Sequence, residues 1–115
     1  MERNHKNCIE ICNYQPMTVN QVWQGRRFKT GAYKRYEKEL LMVLPKRDTI
    51  FGKVRTTYEI TVPNKVRRDV SNFVKPLEDI LVKKGYFTDD SEVVELIAKK
   101  KYGSKWNIKI SIEKV

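Results

Sequence analysis

Between Arg67 and Lys100 the chain holds an acid, Asp69, just ahead of an amphipathic segment. A lysine, Lys75, lies near the start of that segment, and a paired acid, Asp89-Asp90, follows it. These carboxylates flank one helix in a chain with 24 Lys and Arg against 14 Asp and Glu, a formal charge of +10. Carboxylate oxygens are the ligands that a hard divalent ion such as Mg²⁺ takes. A charge of this size favours polyanionic partners: nucleic acid, an anionic membrane or another polyanion. The two signals together point to a divalent metal working on a phosphate backbone, where it activates water and offsets charge building on a phosphodiester. Lys75, if close, neutralises phosphate or the leaving oxygen.

Each of these residues also has a simpler reading. At roughly 100° per residue, Asn72, Lys75 and Asp79 share a helical stripe opposite Phe73, Leu77 and Ile80. That stripe could be a solvated face with a Lys75–Asp79 pair worth a few tenths of a kcal/mol. Asp89 and Asp90, ahead of Ser91-Glu92, suit a turn, and Asp69 suits a turn or cap. A helix of about 12 residues is roughly 18 Å long, so its two ends cannot meet by helix geometry alone. For Asp69 and Asp90 to converge, the loops after Val62 and after Phe87 must fold back over the same sheet edge. The basic residues fall in four groups: Arg26-Arg27-Lys29, Lys65-Arg67-Arg68, Lys83-Lys84 and Lys99-Lys100-Lys101. They are either ordinary solvated surface or a cationic surface for phosphates. Tyr14, Trp23 and Phe28 surround the first group, a mixture that can follow a single strand as well as pack a core. His5 is the single histidine and is given no role, so a general base here is not expected to be His.

The elements that must position these residues follow from periodicity. Residues 7–14 interleave Cys8/Cys12/Tyr14 with Ile9/Ile11, which predicts a strand covered on both faces. Residues 16–31, with Pro16, Gly25, Gly31 and basic residues, read as a long exposed loop. In 32–44, Tyr33, Tyr36, Leu40, Val43 and Leu44 mark one helix face, and Pro45 closes it. Residues 53–62 alternate cleanly, Val54, Thr56, Tyr58, Ile60 and Val62 against Arg55, Thr57, Glu59 and Thr61, which predicts a strand with one wet face. Residues 73–84 carry Phe73, Leu77, Ile80 and Leu81 at helical spacing. Pro76 sets the start no earlier than about Ser71 or Asn72, both good N-cap types, and Gly85 suits the C′ position. Residues 92–102 and 105–113 read as two strands around Gly103-Ser104. The order β-α-β-α-β-β predicts an α/β (α+β) fold, a four-stranded mixed sheet with two helices packed on it.

At 115 residues this is one domain, 1–115, with residues 1–6 expected to fray. No run of about 18 apolar residues exists to span a membrane, and no apolar N-terminal segment reads as a signal peptide. Cys8 and Cys12 on one strand lie roughly 13 Å apart, too far for a disulfide. They read as reduced, small core thiols of a cytoplasmic protein.

With these motifs laid out, the chain resembles the RusA family of Holliday junction resolvases, small dimeric α/β endonucleases that cut four-way DNA junctions with Mg²⁺. The resemblance rests on Arg68, Asp69, Asn72, Lys75, Asp79 and Leu81, the last one place off the usual leucine. Gly85, Asp89, Asp90, Val93 or Val94, and Lys100 follow. Pro16, Thr18, Asn20 and Trp23 add a weaker N-terminal pattern. It implies that Asp69 and Asp90 are metal ligands, that Lys75 is catalytic, and that a homodimer presents two sites to a two-fold junction. It further implies Mg²⁺, with Mn²⁺ substituting, and no small-molecule cofactor, in the cytoplasm of a bacterium or encoded by a phage. Candidate DNA contacts are Asn20, Arg26, Arg27, Lys29, Lys65, Arg67, Arg68, Asn72 and Lys100. Ser71 departs from the pattern. It stands where the family has an acid and is a weaker, neutral ligand, for which Asp89 or Asp79 could compensate. Two other readings stand beside the nuclease: a module that holds branched DNA without cutting, which Ser71 motivates, and a basic RNA-binding protein.

Overall fold

The structure, a computed structural model, describes residues 6–24, 28–63 and 69–115. In chain order the elements are β1 (Lys6–Cys12), a single-turn α1 (Val19–Val22), the two-residue strands β2 (Trp23–Gln24) and β3 (Phe28–Lys29), and α2 (Gly31–Val43). Then come β4 (Val54–Pro63), α3 (Ser71–Lys84), a 3₁₀ turn (Asp90–Glu92), β5 (Val93–Gly103) and β6 (Asn107–Lys114). The main sheet runs β1-β6-β4-β5, with β4 and β5 parallel and the other neighbours antiparallel. The expected four-stranded mixed sheet with two principal helices is the observed fold.

The alternation of β4 produces its burial. Val54, Thr56, Tyr58, Ile60 and Val62 are buried, and the residues between them are half-buried. The buried face meets Tyr33, Tyr36 and Leu40 of α2, and Phe73, Leu77, Ile80 and Leu81 of α3, in one core. Thr30 caps α2: its Oγ1 accepts the Tyr33 N–H at 3.1 Å, satisfying one of the four donors a helix start leaves open. Helix α3 ends at Gly85, whose φ of 95° is left-handed, and its N–H reaches the carbonyls of Leu81 and Val82. Lys83 is paired with Glu37 at 2.8 Å and Lys84 donates to the Leu41 carbonyl at 2.8 Å, so this basic group joins α3 to α2.

Four local expectations change. Ser71 and Asn72 do not cap α3 but form its first turn. The cap residue is Val70, without a side-chain bond, and the carbonyls of Asp69 and Val70 accept the first N–H groups instead. Pro76 lies inside the helix, buried, a turn later than a proline is usually tolerated. The expected exposed loop 16–31 contains α1 and the β2–β3 pair, with Pro16 buried. β1 is not covered on both faces: Ile9 is buried, whereas Cys8 and Cys12 are exposed free thiols, not core ones. On that outer face Cys8 and Ser111 are register partners. Ion pairs Arg55–Glu95 at 2.8 Å, Arg55–Glu113 at 2.6 Å and Lys101–Glu59 at 2.6 Å cross the same face. Of the residues expected to fray, 1–5 lie outside the described residues, and Lys6 is not frayed but pairs with Glu113 in the ladder of β1 and β6.

Candidate active site

Helix α3 is the crossover between the parallel strands β4 and β5, and this topology returns the chain to α3. The segment after α3 is anchored by Tyr86 and Phe87, each 1% exposed. The Tyr86 hydroxyl donates to the Pro45 carbonyl, and Thr49 Oγ1 donates to the Gly85 carbonyl at 2.6 Å. From this anchor Asp90 reaches back along the helix. Lys75 Nζ lies 2.6 Å from Asp90 Oδ2 and 3.0 Å from Asp79 Oδ1. All three side chains are roughly half exposed. The bonds to Asp90 and then Asp79 raise the Lys75 pKa well above its ordinary value. Its amine is therefore an ammonium throughout the neutral and mildly alkaline range.

The neighbouring acids divide in their duties. Asp89 caps the 3₁₀ turn: its Oδ2 accepts the Ser91 N–H at 3.0 Å and also the Ser91 hydroxyl. These bonds hold its carboxyl below the usual range. Asp69 is exposed at the foot of α3, with its carbonyl bonded to the Asn72 N–H. Ser71 is exposed in the first turn beside half-buried Asn72. Lys75, Asp79 and Asp90 are thus brought together, but no group of three His, Cys, Asp or Glu able to hold one ion forms among the described residues.

The donors still suit a hard cation in kind. They are carboxylate oxygens, and two of them already hold the positive charge of Lys75. Of the candidate DNA contacts, Lys29 lies over the Tyr33 ring at 4.8 Å and Lys100 over the Tyr102 ring at 5.4 Å. Asn20 is in α1. Arg26, Arg27, Lys65, Arg67 and Arg68 lie outside the described residues.

Residues 13–113 match the sequence profile of the family described as endodeoxyribonuclease RusA. This chain belongs to the RusA family. No curated relative matches it. The matched RusA span takes in every candidate site residue from Asn20 to Lys100 and all of α3. Sequence reasoning passed over one buried polar residue on the helix that carries Lys75 and Asp79. Glu78 is 6% exposed, and its Oε1 accepts hydrogen bonds from Tyr58 Oη at 3.0 Å and Thr56 Oγ1 at 3.5 Å. Burial pushes its carboxyl pKa up, and the Tyr58 bond opposes this. The available signal was its spacing: Glu78 follows Val74 by four residues and precedes Leu81 by three, on the apolar face of the helix.

Proposed function

We propose that this chain is a metal-dependent, structure-selective endodeoxyribonuclease that resolves four-way DNA junctions by paired phosphodiester hydrolysis. The observation that carries the reading is the convergence of Asp90 and Asp79 on Lys75 in a chain of charge +10 that belongs to the RusA family. Asp69 and Asp90 would hold Mg²⁺, or Mn²⁺ in its place, with Asp79 or Asp89 as further candidate carboxylates and Ser71 as a weak neutral donor. The ion, when bound, would supply an activated water and offset charge on the phosphate. Lys75 carries a proton and a full charge on the same surface. Its Nζ is positioned by two carboxylates, so a phosphate arriving there meets an oriented donor for the leaving oxygen. The basic residues of the chain would hold the DNA backbone and fix its register without reading sequence.

Paired cuts call for two sites, and the edge strand β5 supports assembly with a second copy. Val94, Leu96 and Tyr102 are 52%, 46% and 57% exposed on this edge, which is a template for further pairing. Antiparallel pairing of two β5 strands about Ala98 opposes Glu95 with Lys101 and Val94 with Tyr102. The strand is therefore complementary to itself. Work on chromosomal or phage DNA places the protein in the cytoplasm. No helix among the described residues is long and apolar enough to cross a membrane.

The deciding experiment incubates the purified protein with a labelled mobile four-way junction, with and without Mg²⁺, beside Asp69→Asn and Asp90→Asn. Symmetric nicks that need the metal and both acids are expected. Unchanged cutting in both variants would remove the reading. Ser71 favours one alternative, a protein that holds junctions without cutting them. Tight binding with no nicks, even in Mn²⁺, would select it.

A further inference from the structure

Thr56 and Glu78 are the buried polar side chains among the described residues, and they meet. The place of Glu78 calls for an apolar residue, since Val74, Leu77 and Leu81 around it on α3 are buried. A buried charge is costly, and an apolar side chain of similar volume is often neutral or stabilising in its place. Proteins break such local rules mainly at functional sites. Lys75 lies three residues before Glu78, and Asp79 follows it. The carboxylate that grips β4 through Tyr58 and Thr56 is therefore one turn from the lysine that must reach Asp90. Asp90 in turn stands at the entrance of β5, which pairs with β4 from Val93 to Gly103 with one register shift at Val94. Lys75, Asp90 and Asp79 all act electrostatically on Glu78.

We propose that Glu78 is a positioning residue of this site: its bonds to Tyr58 and Thr56 fix the rotation of α3 against β4 so that Lys75 meets Asp90. A turn of α3 about its axis would carry Lys75 away from an acid on a separate, anchored segment. Misplacing a reacting group by about 1 Å is enough to cost on the order of 100-fold in rate. The consequence for cleavage rests on the nuclease reading; the consequence for Lys75 does not.

The test compares Glu78→Gln, which keeps an oxygen for the Tyr58 bond, with the double variant Glu78→Leu/Tyr58→Phe, which removes the tie and leaves no orphaned tyrosine hydroxyl. Three quantities are read in the full chain: thermal unfolding, junction Kd in EDTA, and single-turnover cleavage in Mg²⁺. The NMR signal of the Lys75 ammonium, slowed by its bonds to Asp79 and Asp90, is read alongside. Glu78→Gln should cut within about threefold of the unaltered protein. The double variant should hold junctions with unchanged Kd, cut about 10- to 100-fold more slowly, and show a Lys75 signal collapsed onto those of mobile lysines. Should the double variant fail to fold, Tyr58→Phe alone is read by the same criteria. A stable double variant that cuts normally would overturn the proposal. So would a rate loss that only follows a loss of Tm, or an equal loss in Glu78→Gln. If the unaltered protein does not cut, the nuclease reading falls and the ammonium signal decides alone: an unchanged Lys75 signal then overturns the positioning role.

Discussion

Replacing Asp90 by asparagine removes the nearer of the two carboxylates on Lys75, at 2.6 Å. The gross attraction of such a pair is about 2 kcal/mol at an effective dielectric constant of about 60. Both side chains are roughly half exposed, and screening and side-chain entropy leave about 0.2–1 kcal/mol net. A chain of 115 residues shifts its Tm by about 4 °C per kcal/mol, so Asp90→Asn should lose no more than about 4 °C. The raised Lys75 pKa gives this loss its pH dependence. Its contribution is fully present below the unfolded lysine value near about 10.4 and fades only as pH rises through the higher folded value. The share due to Lys75 is therefore constant through neutral pH. Cleavage should fall far more, by about 100- to 1000-fold, the scale of losing one oriented charge at a reacting phosphate. Binding should move the other way. A Lys75 relieved of Asp90 can add up to one phosphate contact, steepening the slope of log K against log salt by up to about 0.9. Fluorescence anisotropy of a labelled junction across a salt series in EDTA measures the slope, and single-turnover gels measure the rate. A Tm loss beyond about 8 °C, twice the bound above, would mean that Asp90 is structural. Cutting at the unaltered rate would refute its place in the site.

A Cβ at Gly103 would stand 2.7 Å from Thr61 Cγ2. Gly103→Ala should therefore cost about 1–3 kcal/mol by thermal denaturation, and Thr61→Ser, which lacks that methyl, should restore most of it. Cys8 and Cys12 are exposed, so both should react with a thiol reagent in the folded protein without prior unfolding; protection of both would place them in an interface. Glu95→Lys and Lys101→Glu should each weaken self-association in sedimentation analysis. The double exchange should restore it, and failure to do so would rule out the β5 register about Ala98.

Much of the scaffold was legible because its signals are local. The alternation from Val54 to Val62 names its own buried face, and the spacing of Tyr33, Tyr36 and Leu40 names that of α2. Which face of β1 is covered depends on how many layers the fold has. Cys8 and Ile9 are both apolar by type, but the two helices meet the side carrying Ile9 and leave the cysteines outside. Helix α3 starts at Ser71, as Pro76 implied, but its cap was misassigned: Ser71 and Asn72 are good caps in isolation, while here backbone carbonyls take the first N–H groups. Asp69, Lys75, Asp79 and Asp90 could be named from sequence. The meeting of Lys75 with Asp90 depends on a parallel crossover and the anchoring of Tyr86 and Phe87, which no local pattern encodes. The place of Glu78 inside the helix–sheet interface likewise emerges only when distant segments are packed, whereas the cap by Asp89 is a local bond that fits the turn expected there.

The position of β6 has a consequence for synthesis. β6 is the last strand in chain order, yet it lies between β1 and β4. The chain emerges N-terminus first at about 5–20 residues per second, so β1 waits without a hydrogen-bonding partner until Asn107–Lys114 has left the ribosome. Its closing ladder, Lys6 against Glu113, spans nearly the whole sequence, the kind of long-range contact that slows folding. A message cut short before Asn107 yields every candidate acid and lysine of the site but no central strand to join the sheet. The fold thereby couples assembly of the candidate site to synthesis of Asn107–Lys114: a product cut short before this strand is a substrate for proteolysis before it can present a finished site.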